Sequence, residues 1–225
     1  MEIREEKKIS ICNAVGFTLV ELLITMVISG IIAGALYSTY QVQQHSYTNQ
    51  EAVAEMQQNI RAALMVMSRD IRMAGYDPQS TGNYKITTAT GSKLVFSADL
   101  NEDGGSPGMG ETMTYELYTP PGASLTALRR IAGQAAIAEN IEKIEFLYLD
   151  GSGATTSVPA DIHAVRVSIL ARASRPDRKF MNTRVYTPAS GVPWDLNGAA
   201  AGNAANDNFR RRLLITTIQC RNMGL

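Results

Sequence analysis

Residues 17–36 form an apolar run of twenty residues that contains one charged side chain, that of Glu21. At about 1.5 Å per residue, a helix of this length spans the roughly 30 Å hydrocarbon core of a bilayer. An ionisable group inside such a segment is costly to insert and requires a partner. No lysine or arginine lies between Phe17 and Arg61, so the run itself supplies no cation. The sequence therefore predicts a transmembrane helix whose acid is neutralised by a charge from elsewhere.

The start of this run carries the motif Gly16-Phe17-Thr18-Leu19-Val20-Glu21-Leu22. The motif resembles the prepilin signature, in which a membrane aspartyl peptidase cleaves after the glycine and methylates the new N-terminal phenylalanine. The resemblance implies that residues 1–16 are a leader that is removed and that Phe17 is N-methylated. It also implies that Glu21 offsets the α-amine of Phe17 in a neighbouring subunit, and that other minor and major pilins bind through this helix. An ordinary signal anchor is the alternative, but it explains neither the Gly16–Phe17 junction nor the position of Glu21.

Charge and cysteine content limit which compartment and which partners the chain can have. Arg4, Lys7 and Lys8 lie in the leader and favour its cytoplasmic placement. We therefore expect a single pass through the inner membrane, with the body outside the cytoplasm and, by the resemblance, later on the pilus at the cell surface. The balance of 21 basic and 21 acidic residues argues against nucleic acid as a partner. Cleavage removes Cys12 and leaves Cys220 without an intrachain disulfide partner.

The helical pattern continues beyond the apolar run, because no proline or glycine follows until Gly75. We expect one helix over residues 17–74, with a membrane or filament-core half at 17–40 and an amphipathic half at 41–76. The charged residues of the second half, including Asp70, are predicted on its other faces. Gly75 and then Asp77-Pro78 form the stop signal. The apolar face recurs at intervals of three and four: Val53, Met56, Ile60, Leu64, Met67, Ile71 and Ala74.

After Pro78 the hydrophobic period changes towards two, which predicts β-strands. A helix packed on an antiparallel sheet gives an α+β fold, with residues 77–225 as a β-rich domain. Residues 135–140 are too short to assign, and residues 174–208 are predicted to form a long loop. Its Trp194 either pins the loop onto the core or contacts a partner. The predicted strands are residues 85–88, 93–97, 112–118, 125–131, 144–150, 164–173 and 213–221.

A second motif narrows the family. The helix ends with Ser68-Arg69-Asp70-Ile71-Arg72-Met73-Ala74-Gly75-Tyr76, and the chain closes with an Arg-Asn pair after its last strand. Both features are similar to PilW-type minor pilins and to the related J-type pseudopilins of type II secretion. The resemblance implies a pilin-like fold with a long N-terminal helix. A simpler interpretation is that the charges of this motif solvate the last helical turns.

The sequence from Asp99 to Gly105 reads Asp-Leu-Asn-Glu-Asp-Gly-Gly, the front half of an EF-hand-type calcium loop. This pattern predicts Asp99, Asn101 and Asp103 as side-chain ligands and Gly105 as a backbone ligand. The twelfth loop position, where a bidentate glutamate is expected, is Gly110, and Glu111 comes one residue late. The alternative is a turn between two strands, for which the same residue types are usual.

Enzymatic motifs are lacking. The sequence contains no Gly-x-Ser-x-Gly, phosphate loop or Cys-x-x-Cys, and its two histidines, His45 and His163, are far apart. We therefore expect a substrate of prepilin peptidase rather than an enzyme. The favoured function is a minor pilin of a type IV pilus, in its initiation or tip complex. The alternatives are a pseudopilin of type II secretion and a membrane-tethered adhesin or sensor whose loop at 189–208 binds a ligand.

Overall fold

The computed structural model describes residues 16–122, 126–130, 136–198 and 202–223. The chain divides into two compact units, residues 1–48 and residues 49–225. One helix, α1 (Leu19–Arg72), contributes residues to both units. The helix predicted over 17–74 is confirmed, with each end two residues shorter. The predicted leader lies outside the described residues except for Gly16.

In the first unit, α1 is exposed on every side. Every residue from 16 to 44 is exposed, including the whole apolar run. By length and composition alone, this helix could cross a membrane. An apolar surface that is exposed all round the helix requires lipid or another protein as its neighbour.

In the second unit, α1 buries one face, as its periodicity predicts. Six of the seven predicted face residues are buried, and Val53 is half-buried against the same core. Asp70 is the exception to the predicted pattern: it is buried, although its charge suggested a solvated face. The buried residues of α1 are Ala52, Met56, Ile60, Ala63, Leu64, Met67, Asp70 and Ile71.

The β-strands of the second unit form two antiparallel sheets within the described residues. The first sheet has the order β1-β2-β3-β4-β5, so each strand pairs with its neighbour in sequence. Its strands are β1 (Ile86–Ala89), β2 (Lys93–Ser97), β3 (Thr112–Tyr118), β4 (Ala127–Arg129) and β5 (Ala136–Ala138).

The second sheet has the order β6-β7-β8 and also pairs sequential neighbours. Its strands are β6 (Ile141–Leu149), β7 (Ala164–Arg172) and β8 (Arg211–Gln219), and a 3-10 turn at Pro159–Asp161 precedes β7. The central strand β7 is buried along nearly its whole length. One hydrophobic core unites the buried face of α1 with residues of both sheets, such as Phe96, Tyr115 and Val165.

The α+β class is confirmed, but the expectation of one sheet is corrected to two. The break falls between β5 and β6, where Asn140 adopts a left-handed conformation with φ 57°. Asparagine tolerates this region better than most residues do, and the resulting turn lets β6 leave the first sheet.

Strand boundaries follow the sequence closely. The predictions for β2 and β3 match the structure residue for residue. β6 begins three residues earlier than predicted, and the unassigned stretch at 135–140 contains β5. The ends of the predicted strand 125–131, at Leu125 and Ile131, lie outside the described residues.

The long segment between β7 and β8 is irregular. It is held to the sheet by a bond from the backbone N–H of Ala189 to Ser168 Oγ on β7 at 3.0 Å, and it is also held by bonds within itself. The backbone N–H of Asp177 donates to Asn208 O at 2.8 Å, and that of Asn182 donates to Asp207 O at 2.7 Å. Asn182 is buried, and its amide donates to the hydroxyl of Tyr186 at 3.2 Å. Residues 199–201 of the predicted loop are outside the described part of the chain.

Candidate functional site

The helix entrance contains a reciprocal cap that involves Glu21. Its Oε2 accepts hydrogen bonds from the backbone N–H of Thr18 at 2.9 Å and from the Thr18 hydroxyl at 2.8 Å. The backbone N–H of Glu21 in turn donates to Thr18 Oγ1 at 3.3 Å. This is a capping box, Thr-x-x-Glu, which satisfies two amide groups that the first helical turn leaves free. Both hydrogen bonds that the carboxylate accepts use Oε2, and none to Oε1 is found among the described residues.

The junction between Gly16 and Phe17 precedes the first residue of α1, Leu19. Phe17 is 83% exposed. A Cβ built on Gly16 would have no atom of the described residues within 4 Å, so the described part of the fold does not require a glycine at this position. On its described side, the junction is therefore exposed and lies outside regular structure.

The predicted calcium loop connects β2 to β3 as a strand-to-strand turn without flanking helices, as the sequence indicates. Asp99 is fully buried, and its Oδ2 accepts the N–H of Gly104 at 3.1 Å. Asp103 is exposed and its Oδ1 accepts the N–H of Gly105 at 2.7 Å. Gly104 takes φ +64°, the conformation that the glycine of such a loop supplies.

The other two predicted ligands, Asn101 and Gly105, already accept hydrogen bonds. The side-chain oxygen of Asn101 accepts the N–H of Asp103 at 3.0 Å, and its amide donates to Asp103 Oδ2 at 2.9 Å. The carbonyl of Gly105 accepts the side-chain amide of Asn83 at 3.1 Å. A carbonyl oxygen has a second lone pair, so both residues retain acceptor capacity.

Glu111 belongs to a carboxylate cluster with the loop, although it lies one residue after the twelfth loop position. One oxygen from each of Asp99, Asp103 and Glu111 lies within 4.8 Å of the others. Glu111 is buried, and its Oε2 accepts the N–H of Gly108 at 2.8 Å. A backbone bond from Ala98 N–H to Glu111 O, at 3.0 Å, holds the residue opposite the end of β2.

Three buried polar atoms at this cluster have no hydrogen-bond partner among the described residues: Asp99 Oδ1, Glu111 Oε1 and the hydroxyl of Tyr84. Burial, followed by the negative charges of Asp99 and Glu111, raises the pKa of Tyr84 to about 12. The loop is thus a region of concentrated negative charge with buried acceptor oxygens.

The last turn of α1 is held by hydrogen bonds to residues that are distant in sequence. Asp70 Oδ2 accepts hydrogen bonds from the hydroxyl of Tyr115 and from Arg130. The carbonyl of Arg72, near the helix end, accepts the N–H of Arg221 and the amide of Asn222, each at 3.3 Å. The Arg-Asn pair that closes the chain therefore caps the helix, and the two family-like motifs meet in space.

Two family models match the chain. The description "Prokaryotic N-terminal methylation motif" covers residues 16–37, and "Prepilin peptidase-dependent protein B" covers residues 49–133. The chain is a type IV pilin-like protein. Its apolar N-terminal helix and its methylation motif indicate a membrane-anchored pilus protein. The second match includes Asp70 and the loop from Asp99 to Glu111.

A solved type IV-like pilin from Thermus thermophilus is also similar to this pilin-like chain. The two share 18% identity with a TM-score of 0.44, over 75% of this chain and 97% of that chain. No curated protein sequence matches the chain significantly.

Sequence reasoning missed Thr18, Glu111 and Tyr84. The Thr-x-x-Glu spacing was a usable signal for the cap. Glu111 lies one residue after the position at which an EF-hand-type loop has its glutamate. Here a strand follows the loop in place of a helix, so the exact spacing of the EF-hand is not required. Tyr84 precedes β1 and carried no local signal. Trp194 is half-buried, and its backbone N–H donates to the carbonyl oxygen of Tyr186 at 3.0 Å. Tyr186, rather than Trp194, is the buried aromatic residue in the described part of the long segment.

Proposed function

We propose that this pilin-like chain is a minor pilin: a structural subunit of a type IV pilus, of the PilW kind, that acts in filament initiation or at the tip. The observation that carries the proposal is the apolar surface of residues 17–36, exposed all round directly after a methylation motif. Such a surface suits storage in the inner membrane and then packing among the helices of other pilins.

Processing is the first step of the proposed function. Prepilin peptidase would cut between Gly16 and Phe17 and methylate the new amine. The exposure of Phe17 supports this step, and so does the absence, among the described residues, of a steric reason for glycine at position 16. The glycine is then a requirement of the peptidase rather than of the fold. The second unit would lie outside the cytoplasm, because the basic residues of the leader favour the opposite side.

Glu21 is the proposed assembly residue. Its Oε2 is used by Thr18 of the same chain, which leaves Oε1 to accept the α-amine of Phe17 from a neighbouring subunit. In the low dielectric of a helix bundle such a pair is specific, and removal of one partner leaves an uncompensated charge. The pair would fix the axial register of subunits as they leave the membrane.

Two substitutions separate the charge of Glu21 from its capping role. Glu21→Gln retains an oxygen that can accept from Thr18 but removes the charge. Thr18→Ala removes the cap, at a cost of about 1 kcal/mol, but retains the charge. Incorporation is measured by immunoblot of sheared filaments against the membrane fraction. We expect Glu21→Gln to insert normally but to fall at least tenfold in filaments, whereas Thr18→Ala incorporates at close to the wild-type level.

Glu51→Ala is the matched control, because Glu51 is an exposed acid farther along α1. It should incorporate normally. Normal incorporation of Glu21→Gln would contradict the pairing mechanism. Recovery of the chain with a secretion system rather than with filaments would contradict the pilus assignment.

A further inference from the structure

The arrangement of the carboxylates between β2 and β3 lowers the stability of the folded chain. Asp99, Asp103 and Glu111 bring three negative charges within 4.8 Å, and like charges at this distance repel, most strongly where they are buried. None of the salt bridges in the described part of the chain involves any of the three. Something other than a lysine or arginine must therefore offset this charge.

The buried oxygens point to the missing interaction. Asp99 is 0% exposed and Glu111 is 7% exposed, yet Asp99 Oδ1 and Glu111 Oε1 have no hydrogen-bond partner among the described residues. Buried polar atoms in native proteins are almost always satisfied, and an ionised oxygen is the most costly to leave alone. The buried hydroxyl of Tyr84 is likewise without a partner in the described region.

The backbone holds the cluster in a form suited to a ligand. Gly104 N–H binds one oxygen of Asp99, and Gly108 N–H binds one oxygen of Glu111. In each residue the second oxygen remains for the ligand. The N–H of Asp99 also donates to Tyr76 O at 2.8 Å, which ties the loop to the end of α1. The acceptors are therefore fixed before any ion arrives.

We propose that Asp99, Asp103 and Glu111 bind a Ca²⁺ ion, with Glu111 in the role that the sequence assigned to a twelfth loop position. The ligands are all hard oxygens, with no histidine or cysteine in the cluster, which excludes a preference for Zn²⁺. A loop that offers several carboxylate oxygens favours Ca²⁺ over Mg²⁺, because Mg²⁺ demands octahedral geometry and retains its water. The amide oxygen of Asn101 and water complete the coordination. This inference stands independently of the role in the pilus.

The test is calorimetric titration of the full chain in detergent micelles, stripped of metal with a chelator and then titrated with CaCl₂. We expect one saturable site with a Kd on the order of 10⁻⁵–10⁻³ M. At about thirty times the Kd, the Tm should rise by about 4–8 °C. Glu111→Gln and Asp103→Asn should each weaken binding at least tenfold. Because Asp103 is exposed, its variant tests the same site without a change to a buried side chain.

Asp150→Asn is the matched control. Asp150 also accepts backbone N–H bonds in a turn after a strand, from Ser152 at 2.8 Å and Ala154 at 3.0 Å, but belongs to no carboxylate cluster in the described residues. It should bind Ca²⁺ as the wild type does. In chelator, Glu111→Gln should raise the Tm, since it relieves repulsion. No heat and no Tm shift at 10 mM CaCl₂ (roughly ten times the weakest expected Kd) would overturn the proposal, as would unchanged binding in Asp103→Asn or an equal shift with MgCl₂.

Discussion

The hydroxyl of Tyr115 donates a hydrogen bond of 2.8 Å to Oδ2 of Asp70, and both residues are buried. Tyr115 lies on β3 and Asp70 in the last turn of α1. Arg130 binds the same carboxylate oxygen, and Arg69 Nε binds Oδ1 at 3.1 Å. This buried network ties the helix end to the first sheet, so a residue that looks like surface charge in the sequence is part of the core.

Tyr115→Phe should lower the free energy of unfolding by about 1.5–3 kcal/mol, because it removes a buried hydrogen bond to a charged group. Asp70→Asn should cost more, about 3 kcal/mol, since it leaves Arg130 facing a neutral partner; the partial exposure of Arg130 keeps the loss at the low end for a buried pair. Thermal unfolding of the full chain, followed by circular dichroism, measures both. Tyr118→Phe, at the last residue of β3, is the control and should change stability little. A Tyr115→Phe variant as stable as the control would contradict the role of the network.

Cys220 should be nearly inert in the folded protein. Burial raises the pKa of its thiol to about 12, so almost no thiolate is present at pH 8. In a chain that carries Cys12→Ser, iodoacetamide should label Cys220 slowly in buffer and rapidly in denaturant. Ile215→Cys, at an exposed position of β8, is the control and should be labelled rapidly in the folded state.

The same shift predicts a dependence of stability on pH. The unfolded chain loses the thiol proton near pH 9, whereas the folded chain retains it to about pH 12. The contribution of Cys220 to stability is therefore complete below pH 9 and shrinks as the pH rises towards 12. Cys220→Ala should have a shallower loss of stability between these values. Rapid labelling of native Cys220 at pH 8, or an identical pH profile in Cys220→Ala, would contradict the assigned burial.

The elements of the fold follow from local patterns. The buried face of α1 can be predicted because a period of 3.6 places its apolar residues on one side of the helix. The strands β2 and β3 can be predicted because β-branched and aromatic residues cluster between turn signals. The division into two sheets could not be predicted from the sequence: the left-handed residue between β5 and β6 is Asn140, and asparagine can occupy many other conformations.

The functional residues also divide into those that a local sequence motif predicts and those that it does not. Gly16, Phe17 and Glu21 form a contiguous motif, so one stretch of sequence suffices to predict them. Two partners of Asp70, Tyr115 and Arg130, lie 45 and 60 residues away. Glu111, which completes the carboxylate cluster, lies beyond the Asp99–Gly105 motif. Such pairings arise when strands bring distant residues together, and no local pattern records them.

The mass and N-terminal sequence of the chain from the membrane fraction test the central claim most directly, because the proposed role begins with cleavage. We predict a chain that begins at Phe17 and carries one methyl group on its α-amine. Gly16→Ala should accumulate the uncut form, which provides the reference mass. A chain that retains Met1 and residues 2–16 in the wild type would contradict the account and would favour a membrane-tethered adhesin or sensor.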